Sequence, residues 1–168
     1  DESKGIGSAI GKLNFDNPTA AVSFNGGANG ATFKSTYGNR DGAAVNGGAA
    51  IFGGLVGSVT GCANSKPLHI ENVTTKFALV ATPQFTGGLV GWLGRDVGAT
   101  LEVKNATVNC TELVQSSKGF GGVMGCIDTQ KQSENKSIAD INGLTVTNAG
   151  TITKGAGIAA DCWRWAIR

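Results

Sequence analysis

Gly53-Gly54-Leu55-Val56-Gly57 returns 34 residues later as Gly87-Gly88-Leu89-Val90-Gly91, and 34 further on as Gly121-Gly122-Val123-Met124-Gly125. A degraded copy, Gly155-Ala156-Gly157-Ile158-Ala159, keeps the same interval. Equal intervals of this length mark a repeat architecture, in which each copy is one supersecondary unit. A second element tracks the first. Leu68-His69-Ile70-Glu71-Asn72-Val73-Thr74 matches Leu101-Glu102-Val103-Lys104-Asn105-Ala106-Thr107, and Ala139-Asp140-Ile141-Asn142-Gly143-Leu144-Thr145 is a weaker copy. Leu13-Asn14-Phe15-Asp16-Asn17-Pro18-Thr19 reads as an earlier one.

Apolar and polar residues alternate in these stretches, which is the pattern of a half-buried strand. Leu68, Ile70, Leu101, Val103 and Ile141 are expected to face inward, and His69, Glu71, Glu102, Lys104 and Asp140 outward. A third apolar stretch follows each copy, at 77–80, 111–114 and 150–153. Each period thus holds about three short strands and no helical pattern. One such unit cannot bury its own apolar face, but identical units stacked strand on strand can. The sequence predicts an all-β fold, a right-handed parallel β-solenoid (β-helix) of about four rungs of 34 residues.

The composition agrees. Glycine accounts for 27 of 168 residues and hydrophobic residues for 40%, so the chain has both the turns and the apolar surface for many short strands. The net charge of +2 excludes the basic stripe of a nucleic-acid binder. No apolar run reaches the roughly 18 residues of a membrane span. The start, Asp1-Glu2-Ser3-Lys4, is not a signal peptide and suits a processed segment of a longer chain.

The organisation expected is a single β-solenoid domain over 1–168. It comprises an irregular first rung and insertion over 1–50, regular repeats at 53–86, 87–120 and 121–154, and a C-terminal cap or partial rung at 155–168. The stretch 25–48, rich in Gly and Asn, is expected to be an insertion off the solenoid or an irregular extra coil, because Leu13 and Leu68 are 55 residues apart. Loops leaving a repeat array often bind ligands, and Tyr37 and Arg40 are the contact candidates there. A smaller polar insertion is expected at 130–136.

The GGLVG strings, followed by the L-x-I/V-x-N strand, resemble the GLUG-type repeats. That resemblance covers roughly 50–158 and implies a secreted, adhesin-like β-solenoid with no catalytic residues to carry over. Such repeats often place Cys after the strand Asn, whereas this chain has Val73, Ala106 and Leu144 there.

The four cysteines, Cys62, Cys110, Cys126 and Cys162, are too widely spaced for a CxxC metal or redox site. By repeat position Cys126 can meet Cys162 on the next rung, while Cys62 with Cys110 needs a loop to fold across; buried thiols are the alternative. Sequons stand at Asn72, Asn105, Asn109 and Asn135 and suit a secretory glycoprotein. Asn72 and Asn105 share one repeat position with Asn17, a pattern that equally fits side-chain amides stacked in a ladder.

His69 is the only histidine, so a multi-histidine metal site is not available and no His/Ser/Asp triad can be assembled without it, and it reads as a solvated surface residue. Glu71 aligns with Lys104 as a cross-rung ion pair. Glu71 and Glu102 form the acid/base alternative for polysaccharide cleavage. Trp163, Arg164 and Trp165 suit either the cover of an open solenoid end or contact with a sugar or partner chain. An ice-binding face would need Thr on every rung, and only Thr145-x-Thr147 offers it.

The function expected is a non-enzymatic, cofactor-free and metal-free extracellular surface. It would present flat sheet faces to a glycan or protein. The alternatives are a filament subunit that self-associates end to end and a carbohydrate-active β-helix enzyme.

Overall fold

Every level gives one strand to each of the first two sheets and one or two to the third, and the glycine strings mark where the chain passes from the first sheet to the second. The computed structural model describes residues 5–14, 21–38, 51–61, 66–80, 84–94, 98–113, 119–127 and 137–148. The first sheet stacks β1 (Gly5–Gly7), β5 (Ile51–Gly53), β9 (Phe85–Gly87) and β12 (Gly119–Gly121) in that order. The second stacks β2 (Ile10–Asn14), β6 (Val56–Thr60), β10 (Val90–Leu93) and β13 (Met124–Ile127). The third is built from β3 (Val22–Asn25) with β4 (Ala31–Gly38), then β7 (Leu68–Glu71) with β8 (Val73–Val80), then β11 (Thr100–Leu113) and β14 (Ile138–Asn148). All these pairings are parallel, and there is no helix among the described residues.

Register follows the repeat. Ile51 pairs with Phe85 and Val56 with Val90, each 34 positions apart. In the third sheet Leu101 pairs with Leu68 and Ala139, so the interval there is 33 and then 38. The four extra residues fall between β13 and β14. Ile127 to Ala139 spans twelve positions, whereas Leu93 to Leu101 spans eight. The expected polar insertion at 130–136 lies in that interval and outside the described residues.

The glycines are fixed by backbone crowding at the turn. A Cβ on Gly53 would stand 2.7 Å from the amide nitrogen of Gly91, and one on Gly87 2.7 Å from that of Gly125, in both cases also against a carbonyl oxygen of its own repeat. Only glycine permits that approach. Pairing between levels continues through the turn. Gly54 N donates to Gly87 O at 3.0 Å and Leu55 N to Leu89 O at 3.0 Å, and one level on Leu89 N donates to Val123 O at 2.9 Å. These bonds give the corner backbone groups partners across the levels, which is what permits their burial.

The main core joins Phe52, Leu55, Val56 and Val59 to Leu68, Ile70, Val73 and Phe77 and to the copies Leu89, Val90, Leu93, Leu101, Val103 and Ala106 on the next level. Equivalent residues lie level over level, so each covers the one before it. Burying one Leu or Ile side chain stabilises by about 1.5–3 kcal/mol, and the stack repeats that gain at every level. Phe52 and Phe77 join the first and third sheets at the second level, with ring centroids 5.4 Å apart. A smaller cluster of Ile51, Phe85 and Cys126 packs with Trp92, whose ring meets Phe85 edge-on at 4.9 Å.

The first level differs from the expectation in two ways. Leu13 pairs with Val59, so 13–19 is not a copy of the Leu68 strand; that copy is β3, with Val22 opposite Leu68 and Phe24 opposite Ile70. Most of the described part of 25–48 is no insertion either. Ala31–Gly38 runs in unbroken register beside Val73–Val80. The physical reason is a hidden first copy of the glycine string. Ile6-Gly7-Ser8-Ala9-Ile10-Gly11 overlies Phe52-Gly53-Gly54-Leu55-Val56-Gly57, and the Ser8 hydroxyl donates to the Gly54 carbonyl. Residues 39–50, including Arg40, lie outside the described set.

Candidate binding face

The outward side chains of the third sheet form the candidate site, because parallel register turns single residues into columns. On the strands before the turn one column is Ser23, His69, Glu102 and Asp140. The next is Asn25, Glu71, Lys104 and Asn142. Beyond the turn stand Thr32, Thr74, Thr107 and Thr145, followed by Lys34, Lys76, Asn109 and Thr147. Their inward neighbours Ile70, Val73, Val103, Ala106 and Val108 are core residues, and this alternation is what holds the polar set outside.

The turn between the two halves is made by Asn72 and Asn105, which adopt the left-handed region at φ 54° and 50°, and by Gly143 at φ 70°. Asparagine tolerates that region better than other residues with a side chain. Asn72 N donates to Lys104 O at 3.0 Å, and the Asn105 side-chain amide points at Asn72 Oδ1 at 3.5 Å. The amide ladder expected from the sequence is therefore present between these two levels. Gly143 ends it, for a side chain there would meet Asn105 Oδ1 at 2.6 Å. At the first level Asn25 is the partner of Glu71 and Gly26 N bonds to Glu71 O, while Asn17 lies outside the described residues. Asn105→Ala is expected to destabilise by about 1–2 kcal/mol, the cost of a Cβ-bearing residue in this region. Asn105→Gly is expected to stay within about 0.5 kcal/mol of the parent, since glycine adopts it freely. Urea titration of both variants checks this; equal losses would show that the amide, not the backbone angle, carries the turn.

His69 is not a solvated surface residue. Its Nε2 lies 3.1 Å from Glu71 Oε2 and its Nδ1 3.4 Å from Glu102 Oε2, with 21% of its side chain exposed. Glu71 also accepts from Asn25 Nδ2 at 3.2 Å. The register between Glu71 and Lys104 is as expected, but the Glu71 carboxylate turns to His69 and Asn25. A column of polar residues has become a bonded cluster across the levels of Asn25, His69 and Glu102. Both carboxylates address one imidazole from the same sheet face. A glycoside-cleaving pair must flank the scissile bond from opposite sides.

Asn109 stands half-buried on the outer face, whereas Cys110 beside it points inward and is 2% exposed. Cys126 is buried at 8%. Both proposed disulfides involve a residue outside the described set, Cys62 or Cys162. Asn135, Trp163, Arg164 and Trp165 also lie outside it. Tyr37 takes a register position in β4 opposite Leu79 rather than on a projecting loop. Among the described residues no group of three or more His, Cys, Asp or Glu could hold a metal ion, and no helix is long and apolar enough to cross a membrane.

The threonine column is what sequence reasoning missed. Threonine occupies all four levels, not only Thr145 and Thr147. The available signal was the spacing of each Thr from the turn, two residues after Asn72 and Asn105 and two after Gly30 and Gly143. No protein-family model matches the chain, and no curated protein or solved structure matches it.

Proposed function

We infer that the chain is a right-handed parallel β-solenoid module of the GLUG-repeat kind and works as a non-catalytic, extracellular, adhesin-like surface for glycans. Strand order supports the solenoid. Three sheets receive their strands in the same succession at every level, and parallel strands joined by crossovers are right-handed in about 98% of cases. The observation that carries the function is the outer face of the third sheet, where four levels present aligned hydroxyl, amide and charged side chains. Such a face offers hydrogen bonds at a fixed interval of about 4.8 Å, suited to an extended polyhydroxyl chain. A glycan array probed with the full chain is expected to return binders among linear polysaccharides. A blank array at high protein concentration would remove the reading.

A filament subunit is the second reading, favoured by the last described strand. Ile138 and Val146 on β14 are 42% and 47% exposed, far more than their register partners Thr100 and Val108. End-to-end pairing with another copy would cover them. Light scattering decides it: growth with concentration supports assembly, and a stable monomer at high concentration excludes it.

A further inference from the structure

The two halves of the candidate face differ in how their charges are satisfied. Before the turn, His69 sits between Glu71 and Glu102, and Asn25 adds a hydrogen bond to the first. Beyond the turn, Lys34 and Lys76 are register partners on adjacent parallel strands, both exposed. Adjacent strands lie about 4.8 Å apart, so two ammonium stems leave the sheet side by side. Like charges placed directly opposite one another destabilise a strand pair. Among the described residues neither lysine has a carboxylate within ion-pair distance. The column beside them is threonine at every level, with Thr32 and Thr145 exposed and Thr74 and Thr107 half-buried. The Lys column itself continues as Asn109 and Thr147, the latter leaning on the Val108 carbonyl at 3.4 Å.

We propose that this half of the face, Thr32, Lys34, Thr74, Lys76, Thr107 and Asn109, is the binding site for a linear anionic polysaccharide running along the stack, across the strands. The proposal rests on the glycan-surface reading above and assigns its ligand class and its place. Carboxylate or sulfate groups on the polysaccharide would lie between the two ammonium groups and relieve their repulsion. Threonine hydroxyls both donate and accept, so they suit the hydroxyls of successive sugar units. The half before the turn carries the Glu71, Glu102 and Asp140 carboxylates against the one lysine Lys104, so its excess of negative charge repels the same ligand and confines it to one side of the Asn turn.

The test uses the full chain over surfaces carrying dextran sulfate, polygalacturonate or neutral dextran. Binding is expected on the two anionic polymers and not on neutral dextran, and is expected to weaken at least tenfold between low and high salt, as exposed charge contacts do. The double variant Lys34→Gln/Lys76→Gln is expected to lose at least tenfold in affinity, and Thr74→Val/Thr107→Val several-fold. Lys76→Glu separates binding from folding. It places a carboxylate opposite Lys34, so its melting temperature is expected to match or exceed the parent's while anionic binding disappears. Glu71→Gln/Glu102→Gln is expected to bind as well as the parent or better. Undiminished binding by the double lysine variant overturns the proposal, as does equal capture by neutral dextran. That last result would leave the glycan-surface reading standing. A chain that binds no anionic polymer overturns the proposal, and a blank glycan array besides removes the surface reading with it.

Discussion

Gly87→Ala is expected to cost about 3 kcal/mol or more, enough to remove a large part of the stability of an ordinary domain. The added methyl meets the Val90 carbonyl on one side and stands 2.7 Å from the Gly125 amide nitrogen on the other. Both obstacles are backbone, so no side chain can rotate out of the way. Relief requires the β9–β10 corner to part from the next level, which pulls on Gly88 N to Gly121 O and Leu89 N to Val123 O. Overpacking in a well-packed site commonly costs 1–3 kcal/mol, and a rigid backbone on two sides places this case at or above the top of that range. Gly27→Ala is the matched control. Gly27 has φ 64° and open space around its Cβ direction, so only the conformational cost of about 1 kcal/mol applies. Urea midpoints of the two variants, with m-values checked for constancy, measure the difference. Similar losses at the two positions would show that the glycines serve the turn angle and not the approach of neighbouring levels.

That distinction explains what could be read from the sequence. At 53–57, 87–91 and 121–125 the glycine requirement is steric and repeats with every level, so it leaves a string that survives intact. On the first level the same requirement is only partly kept. Gly7 is still hemmed in by the Leu55 carbonyl and the Gly57 amide, but the next two positions are Ser8 and Ala9. No described strand lies on the far side of β1, and Ser8 is accommodated by a hydrogen bond to Gly54. The copy was thus hidden where the crowding that dictates it is one-sided. Its interval is also lengthened. Asn25 to Ala31 takes six steps where Glu71 to Val73 takes two. The five residues 26–30, with Asn25 Oδ1 accepting from Gly27 N at 2.7 Å, make a wider turn in place of the single left-handed Asn.

The face was less legible than the fold for a related reason. Inward positions are chosen by packing and announce themselves as Leu, Ile and Val. Outward positions are free to vary, and their meaning comes from the residue beside them on the next strand. Thr74 and Thr107 read equally well as the third residues of sequons, and only the register makes them one column with Thr32 and Thr145. His69 reads as a lone surface histidine until Glu102, 33 residues on, is brought to its Nδ1.

The stack also predicts a gradient of mutational cost along its length. Leu89→Ala, in the middle, is expected to destabilise by about 3–4 kcal/mol, and Val146→Ala, on the last described strand, by less than about 1 kcal/mol. Leu89 has no exposed surface and lies between Leu55 and Val123, to both of which its backbone is bonded. Truncation there leaves a cavity walled above and below by residues that cannot close on it, since each is held by its own level. Val146 has the same inward orientation as Val108 and Thr75, yet it is 47% exposed because the described stack ends on its strand. Removing its methyl groups forfeits little burial and opens no closed cavity. Chemical denaturation of the two variants provides the comparison. A cost at Val146 approaching that at Leu89 would mean that something covers β14 in solution. In that case the Val146→Ala loss should grow with protein concentration if the cover is another copy of the chain, and stay constant if it belongs to the same one.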